Sequence, residues 1–176
     1  LLQPPKGRLC DLHLRGPNEP NGFLKVTWIQ ILVKSKIYNC VSPLLLFNFT
    51  KKNMDKETIL KACNDRCPNT LMETLEISYV DVGENFLTAK MPVGPKVHQP
   101  DGVLHGGAMV ALAESVGSAA SFLFLDAKNY KVRGIEIAAN HVKSIASGFV
   151  YAKATVLHKG RTTQLWDIKI TDDAGQ

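Results

Sequence analysis

Residues 106–125 form a run of small and apolar side chains, and Glu114 is the one formally charged residue between Gly102 and Leu125. Such a run is long enough either to cross a bilayer or to serve as the buried central helix of a folded domain. Gly117 and the hydroxyls of Ser115, Ser118 and Ser121 dilute its apolarity, and Glu114 stands near its middle, where insertion into hydrocarbon is penalised. Strand-like segments flank the run, and its Ala, Gly and Ser positions permit close backbone approach. The reading is therefore a buried helix with no membrane partner. A carboxylate carried into apolar surroundings is costly unless it is partnered or used, which makes Glu114 a candidate for chemistry.

With 176 residues the chain has material for one domain with a substantial core. Its net charge of +5 is unevenly spread: residues 1–53 carry eight Lys/Arg against two acids, and residues 54–176 carry thirteen against fourteen. The basic excess belongs to the leading segment, so nucleic acid is discounted as a partner.

That segment mixes Pro4-Pro5, Pro17 and Pro20 with isolated apolar bursts and shows no sustained helical or strand period. The apolar bursts at 28–33 and 41–47 suggest a signal or an anchor, but Lys34, Lys36, Asn39 and Pro43 interrupt them and no small-residue cleavage site follows; a transit peptide is acid-poor and basic, as this segment is, though it would carry more Ser. Residues 1–53 are expected to be a non-native or disordered extension, with 54–176 as the folded unit. Right after Met54, Asp55-Lys56-Glu57-Thr58-Ile59-Leu60-Lys61-Ala62 places acids in a first turn and apolar residues at helical spacing.

Cysteine usage says little. Cys63 and Cys67 stand in a C-x3-C spacing that matches no common zinc or redox pattern, and reduced thiols in a cytoplasmic protein are the expectation. The sequon Asn48-Phe49-Thr50 has no secretory signal ahead of it. Without a persuasive His/Cys/Asp cluster, no metal is expected.

From Thr70 onward the chain has an α+β rhythm. Residues 75–82 alternate, Gly83-Glu84-Asn85 supplies a turn, and 86–91 resumes strand composition, which predicts a hairpin. A Pro/Gly-rich loop over 92–102 leads into the helix, and further strands are predicted over 132–138, 148–157 and 163–170. Five strands and one long apolar helix imply a sheet wrapped about that helix. Asp172-Asp173-Ala174-Gly175 is turn chemistry, so another hairpin strand is expected beyond it and the domain is expected to be truncated there.

His105-Gly106-Gly107 stands where the helix begins. Glycines there let a ligand approach backbone N–H groups that lack intrahelical partners, and the helix dipole favours an oxyanion; an ordinary Gly-rich turn is the competing reading. Glu114 lies eight residues beyond Gly106, about 12 Å along a helix. One carbonyl cannot easily reach both, whereas antiparallel helices from two copies of the chain would put Gly106 of one opposite Glu114 of the other. Ser118, at i+4 from Glu114, can orient the carboxylate or a water, or simply pack as a small residue.

These residues carry a resemblance. Gln99-Pro100-Asp101-Gly102-Val103-Leu104-His105-Gly106-Gly107, then Leu112-Ala113-Glu114-Ser115-Val116-Gly117-Ser118, then Ala139-Asn140-His141-Val142-Lys143-Ser144 are similar to the hotdog-fold acyl-CoA thioesterases, in the right order over roughly residues 70–176. Within them the likeness is to the branch acting on 1,4-dihydroxy-2-naphthoyl-CoA in menaquinone biosynthesis. The resemblance implies a hotdog fold with Glu114 as the catalytic carboxylate and the Gly106 N–H polarising the thioester carbonyl. Gln99 and His105 would position the reacting group, and Ser118 would support the second half-reaction. His141, Lys143, Ser144, Gly160, Arg161 and Thr162 would contact the phosphates or pantetheine of CoA, which is part of the substrate rather than a cofactor; His98 and His158 are weaker candidates. It further implies a homodimer or homotetramer. The family's pattern continues with a strand past the last turn and has nothing matching residues 1–53. Two other activities stay open on these residues: an acyl-CoA sensor without turnover, and a hotdog dehydratase, which would need a catalytic His beside the acid.

Overall fold

Strand β6 (Thr163–Asp172) buries every second residue, Gln164, Trp166, Ile168 and Ile170, all with no exposed surface. Strand β3 (Phe86–Val93) does the same with Leu87, Ala89, Met91 and Val93, and β5 (Gly148–Lys159) with Val150, Ala152 and Ala154. Strict alternation of this kind is the mark of a sheet with one face on a core. What lies on that face is helix α3 (Gly106–Leu123), which contributes Leu112, Ala113, Val116 and Ala120. Alanines on both sides keep the helix close to the sheet. A buried hydrogen bond at 2.7 Å, from the Trp166 indole Nε1–H to Ser121 Oγ, ties the C-terminal half of the helix to β6.

The computed structural model describes residues 24–34 by their backbone, and residues 55–125, 130–160 and 162–175. Among the described residues the sheet has six strands in the order β2-β3-β5-β6-β1-β4, every neighbouring pair antiparallel, with β1 at Leu24–Lys34, β2 at Ser78–Val82 and β4 at Tyr130–His141. The predicted hairpin is β2 and β3, and the three later strands are present with longer ends. Helix α1 (Lys56–Asn64) follows from its sequence: Asp55 is its N-cap, accepting from the Thr58 N–H at 2.9 Å and the Thr58 hydroxyl at 2.7 Å. Its last residue, Asn64, pairs with Tyr79 backbone groups at 2.8 and 3.0 Å and so covers the outer edge of β2. A short helix α2 (Leu71–Thr74) joins α1 to β2.

Strand β1 departs from the sequence-based expectation. Eleven residues of the segment set outside the domain lie between β6 and β4, antiparallel to both. The strand was hidden because its alternation changes phase: Leu24, Val26 and Trp28 fall on even positions, Ile29, Ile31 and Val33 on odd ones. The pairing with β4 shifts register at the same place, Ile29/Gln30, where Ile135 has no opposite number. After β6 the predicted turn is formed, with the Gly175 N–H on Asp172 O at 3.0 Å and Gly175 at φ 76°.

Candidate active site

Helix α3 begins at a built N-terminus. His105 is its cap, with Nδ1 accepting from the Gly107 N–H at 2.8 Å, and the His105 carbonyl accepts from Ala108 and Met109 at 3.0 and 3.2 Å. The Gly107 donor is thereby used, whereas the Gly106 N–H has no acceptor among the described residues. A Cβ at Gly106 would stand 3.1 Å from Cε1 and 3.2 Å from Nε2 of His141. The imidazole of His141, at the end of β4, therefore lies beside the Cα of Gly106 at the helix tip.

The loops around this tip are stitched together. Leu104 donates to Ile145 O at 2.8 Å, His105 N–H to Val97 O at 2.8 Å, and His98 Nε2 lies 3.0 Å from Ala146 O. These bonds bring the exposed Lys143 and Ser144 to the same end of the molecule as Gln99, His105 and Gly106. Gln99 is half-buried, and its side-chain amide donates to Asp101 at 2.9 Å.

Glu114 and Ser118 lie further along α3, both half-buried, on the wall of a cavity of about 580 Å3. The wall opposite the helix comes from Ala62, Cys63 and Arg66 around the end of α1, from Leu71 and Met72 of α2, and from Tyr79 of β2; Phe122 and Arg133 complete the floor and rim. Tyr79 is fixed by its hydroxyl, which donates to the Ser115 carbonyl at 3.2 Å, and burial holds its phenol well above the ordinary value of 10.0. Burial likewise pushes the Cys63 thiol up to about 11, with the nearby Arg66 guanidinium opposing the rise. Both groups are neutral near pH 7, so the cavity's inner wall behaves as apolar surface. Sequence reasoning named Glu114 and Ser118 but none of this wall, because nothing local in 62–79 shows that α1 and α2 fold over the helix.

Gly160 and Thr162 form the turn between β5 and β6, while Arg161 lies outside the described residues. A side chain at Gly160 would crowd this turn, since a Cβ would stand 3.0 Å from the Thr163 carbonyl and would displace the His158 ring, whose Nε2 lies 2.7 Å away. The register places this turn far from the His141 group: Thr163 is level with Ile31 and Arg133, whereas His141 is level with Leu24 and Ile170. Seven residues of strand separate the two levels, about 23 Å. One copy of the chain therefore does not gather all the residues assigned to CoA. Among the described residues, no three His, Cys, Asp or Glu side chains converge as a metal would need.

A carboxylate midway along an apolar helix, a neighbouring hydroxyl, a sizeable cavity and an open backbone donor at the helix tip are the parts needed for attack on an acyl carbonyl. Comparison with known proteins gives the family. Residues 101–176 match the family model described as the thioesterase superfamily. The chain is 40% identical over 121 residues to the 1,4-dihydroxy-2-naphthoyl-CoA hydrolase of Escherichia coli, covering 69% of this chain and 88% of that one. The chain belongs to the thioesterase superfamily. It is also 43% identical over 117 residues to the proofreading thioesterase EntH of Cronobacter turicensis, covering 66% of this chain and 85% of the relative. Among solved structures, a Pseudomonas aeruginosa thioesterase crystallised as a glutamine-to-alanine variant aligns with TM-score 0.65 at 44% identity, over 66% of this chain and 84% of that one. A Haemophilus influenzae thioesterase aligns with TM-score 0.64 at 41% identity, over 66% and 81% of the two chains. The α+β hotdog architecture expected from the sequence is thus the observed one, and the protein is an acyl-CoA thioesterase.

Proposed function

We propose that this thioesterase hydrolyses CoA thioesters of aromatic or similarly bulky acyl groups, with Glu114 of one copy and Gly106 of another at each reaction centre. The observation that carries this reading is the split of the catalytic parts along α3. Glu114 and Ser118 share the cavity wall, and the open Gly106 donor is eight residues away on the same helix, about 12 Å. A reacting carbonyl must touch both within about 3 Å. A two-fold copy resolves the conflict.

The edge strand β4 supports where that copy sits. Arg133, Gly134, Ile135 and Glu136 are exposed along it, with Ile135 at 49%, and a long edge unpaired among the described residues invites pairing. An antiparallel partner on β4 would bring its His141 end toward the end that carries the 160–162 turn, drawing together the two halves of the CoA-binding group. His141, Lys143, Ser144, Gly160, Arg161 and Thr162 then contact one CoA from two subunits. The acyl group enters the cavity beside Phe122, Tyr79 and Met72. Glu114 takes a proton from water, the resulting hydroxide adds to the carbonyl carbon, and the oxyanion is held by the Gly106 N–H with Gln99 and His105 aligning the thioester. The C–S bond then breaks and the CoA thiolate takes up the proton. The name of the Escherichia coli relative makes 1,4-dihydroxy-2-naphthoyl-CoA, and so menaquinone biosynthesis in the cytoplasm, the first physiological candidate.

Complementation tests the shared site. Glu114→Gln and Gly106→Val are each expected to lower hydrolysis of 2-naphthoyl-CoA by roughly 10³-fold. Mixed and reassembled, half of the dimers would carry one intact site, restoring about a quarter of wild-type activity. No recovery in dimers shown to have exchanged would place both groups in one subunit. Full activity of Glu114→Gln would remove the carboxylate from the mechanism.

A further inference from the structure

We propose that Arg66 is a specificity residue, selecting acyl groups that carry an anionic oxygen substituent at the end remote from the thioester. The inference rests on the reading of the Glu114 cavity as the acyl site and departs from the 1,4-dihydroxy-2-naphthoyl candidate, whose oxygens lie on the ring that bears the thioester: it adds occupants with an anionic distal end.

The formal charges on the cavity wall are Glu114, Arg66 and Arg133; the rest of the lining is apolar or neutral at pH 7. Arg66 follows α1 directly, and its guanidinium carbon lies 4.6 Å from the centroid of the Phe122 ring. The exposed Arg66 is held over the ring face while its N–H groups stay open to a ligand. The acid next to it in sequence, Asp65, is taken by Lys61 at 2.7 and 3.0 Å, and Arg66 forms no ion pair among the described residues. Arg133, on the β4 side, donates one N–H to the Val132 carbonyl at 2.8 Å and adds a second positive charge to the same rim.

Phe122, beneath Arg66, is eight residues beyond Glu114 on α3, about 12 Å. An acyl carbonyl at Glu114 with its body along Phe122 and Tyr79 would thus present its distal end to Arg66 at about the length of a fused two-ring system. A carboxylate or phenolate there would accept a bidentate, charge-assisted pair from the guanidinium, and a hydrocarbon end would gain only van der Waals contact.

The test compares 6-carboxy-2-naphthoyl-CoA with 2-naphthoyl-CoA on wild type, Arg66→Gln and Arg66→Lys. Wild type is expected to favour the carboxylated substrate by on the order of 10-fold in kcat/KM, mostly through KM. In Arg66→Gln the ratio of the two falls to near one, and Arg66→Lys restores part of it. A ratio untouched by Arg66→Gln would overturn the proposal. So would an equal loss on both substrates, which would assign Arg66 to the CoA portion they share. Calorimetric binding of the free acids, naphthalene-2,6-dicarboxylate against 2-naphthoate, repeats the comparison without turnover. If the thioesters are not hydrolysed but the dicarboxylate still binds Arg66-dependently, the catalytic reading fails and this one stands; if neither acid discriminates wild type from Arg66→Gln, this one fails alone.

Discussion

Two stripes run along helix α3, each with residues at i, i+4 and i+8. Leu112, Val116 and Ala120 are fully buried against the sheet, whereas Glu114, Ser118 and Phe122 are half-buried and line the cavity. The two share a backbone, a length and a spacing, and differ in what covers them. The first meets the alternating residues of β3, β5 and β6, which leave no space. The second meets α1 and α2, which arch over it without filling it. Burial on one side anchors the helix so that the other side can hold a carboxylate beside empty volume. On the proposed reading of Glu114, stability and chemistry are thereby separated on opposite sides of one element.

The separation can be broken from either side. Glu114→Gln is the largest expected effect, on the order of 10³-fold in kcat, with the urea midpoint moved far less than by a core truncation because the amide keeps the shape of a half-buried side chain. A large fall in midpoint would show that the second stripe also holds the fold. Leu112→Ala is the converse: it removes a fully buried side chain from the sheet-facing stripe and should cost about 2–5 kcal/mol of stability, depending on how far the site collapses. Activity per folded molecule should stay within a few-fold of wild type. Both measurements belong at one fixed protein concentration, since the proposed assembly would contribute to apparent stability.

A smaller effect is expected at the polar contact inside the buried side. Ser121→Ala would leave the Trp166 indole N–H buried without its 2.7 Å acceptor, worth about 1–3 kcal/mol. In a Trp166→Phe background, where no indole donor is orphaned, Ser121→Ala should cost less than it does in wild type. An equal cost in both backgrounds would mean that Ser121 acts through packing alone.

The two stripes were not equally legible in the sequence. The buried one is a matter of local pattern: an apolar run with small residues, flanked by period-two segments, can do little but lie across a sheet. Glu114 was legible for the complementary reason, as a charge where none is tolerated without a use. The cavity was not, because Cys63, Arg66 and Tyr79 acquire their positions only when α1 and α2 fold back over α3, and local spacing carries no record of that. The C-x3-C pair, unremarkable as a metal motif, in fact brackets Arg66, and Cys63 and Cys67 are buried free thiols. Strand β1 escaped because its apolar alternation changes phase at Trp28 and Ile29, where the pairing register also slips. The wide separation of Gly160 and Thr162 from His141 depends on that same register, which relates residues more than a hundred positions apart.

The smallest predicted effect probes the cavity wall itself. Cys63 normally loses its proton near 9.0 and in the fold does so at about 11, chiefly because burial penalises the thiolate. Its folded value is the higher one, so between about pH 9 and about 11 the unfolded chain releases a proton that the folded chain retains. Stability is therefore complete below pH 9, declines as pH rises toward 11, and is level beyond it; at pH 10 the loss from this group is about 1 kcal/mol. Tyr79, also raised by burial, adds a decline that begins about one pH unit later. Cys63→Ala should remove the earlier part of the slope and leave the Tyr79 part. Arg66 sharpens the assignment, because its guanidinium favours the thiolate: Arg66→Gln should raise the Cys63 value further and steepen the loss above pH 10. Urea midpoints of the three proteins between pH 8 and pH 11 measure this, and a slope identical in wild type and Cys63→Ala would mean that the wall is wet enough to ionise in place.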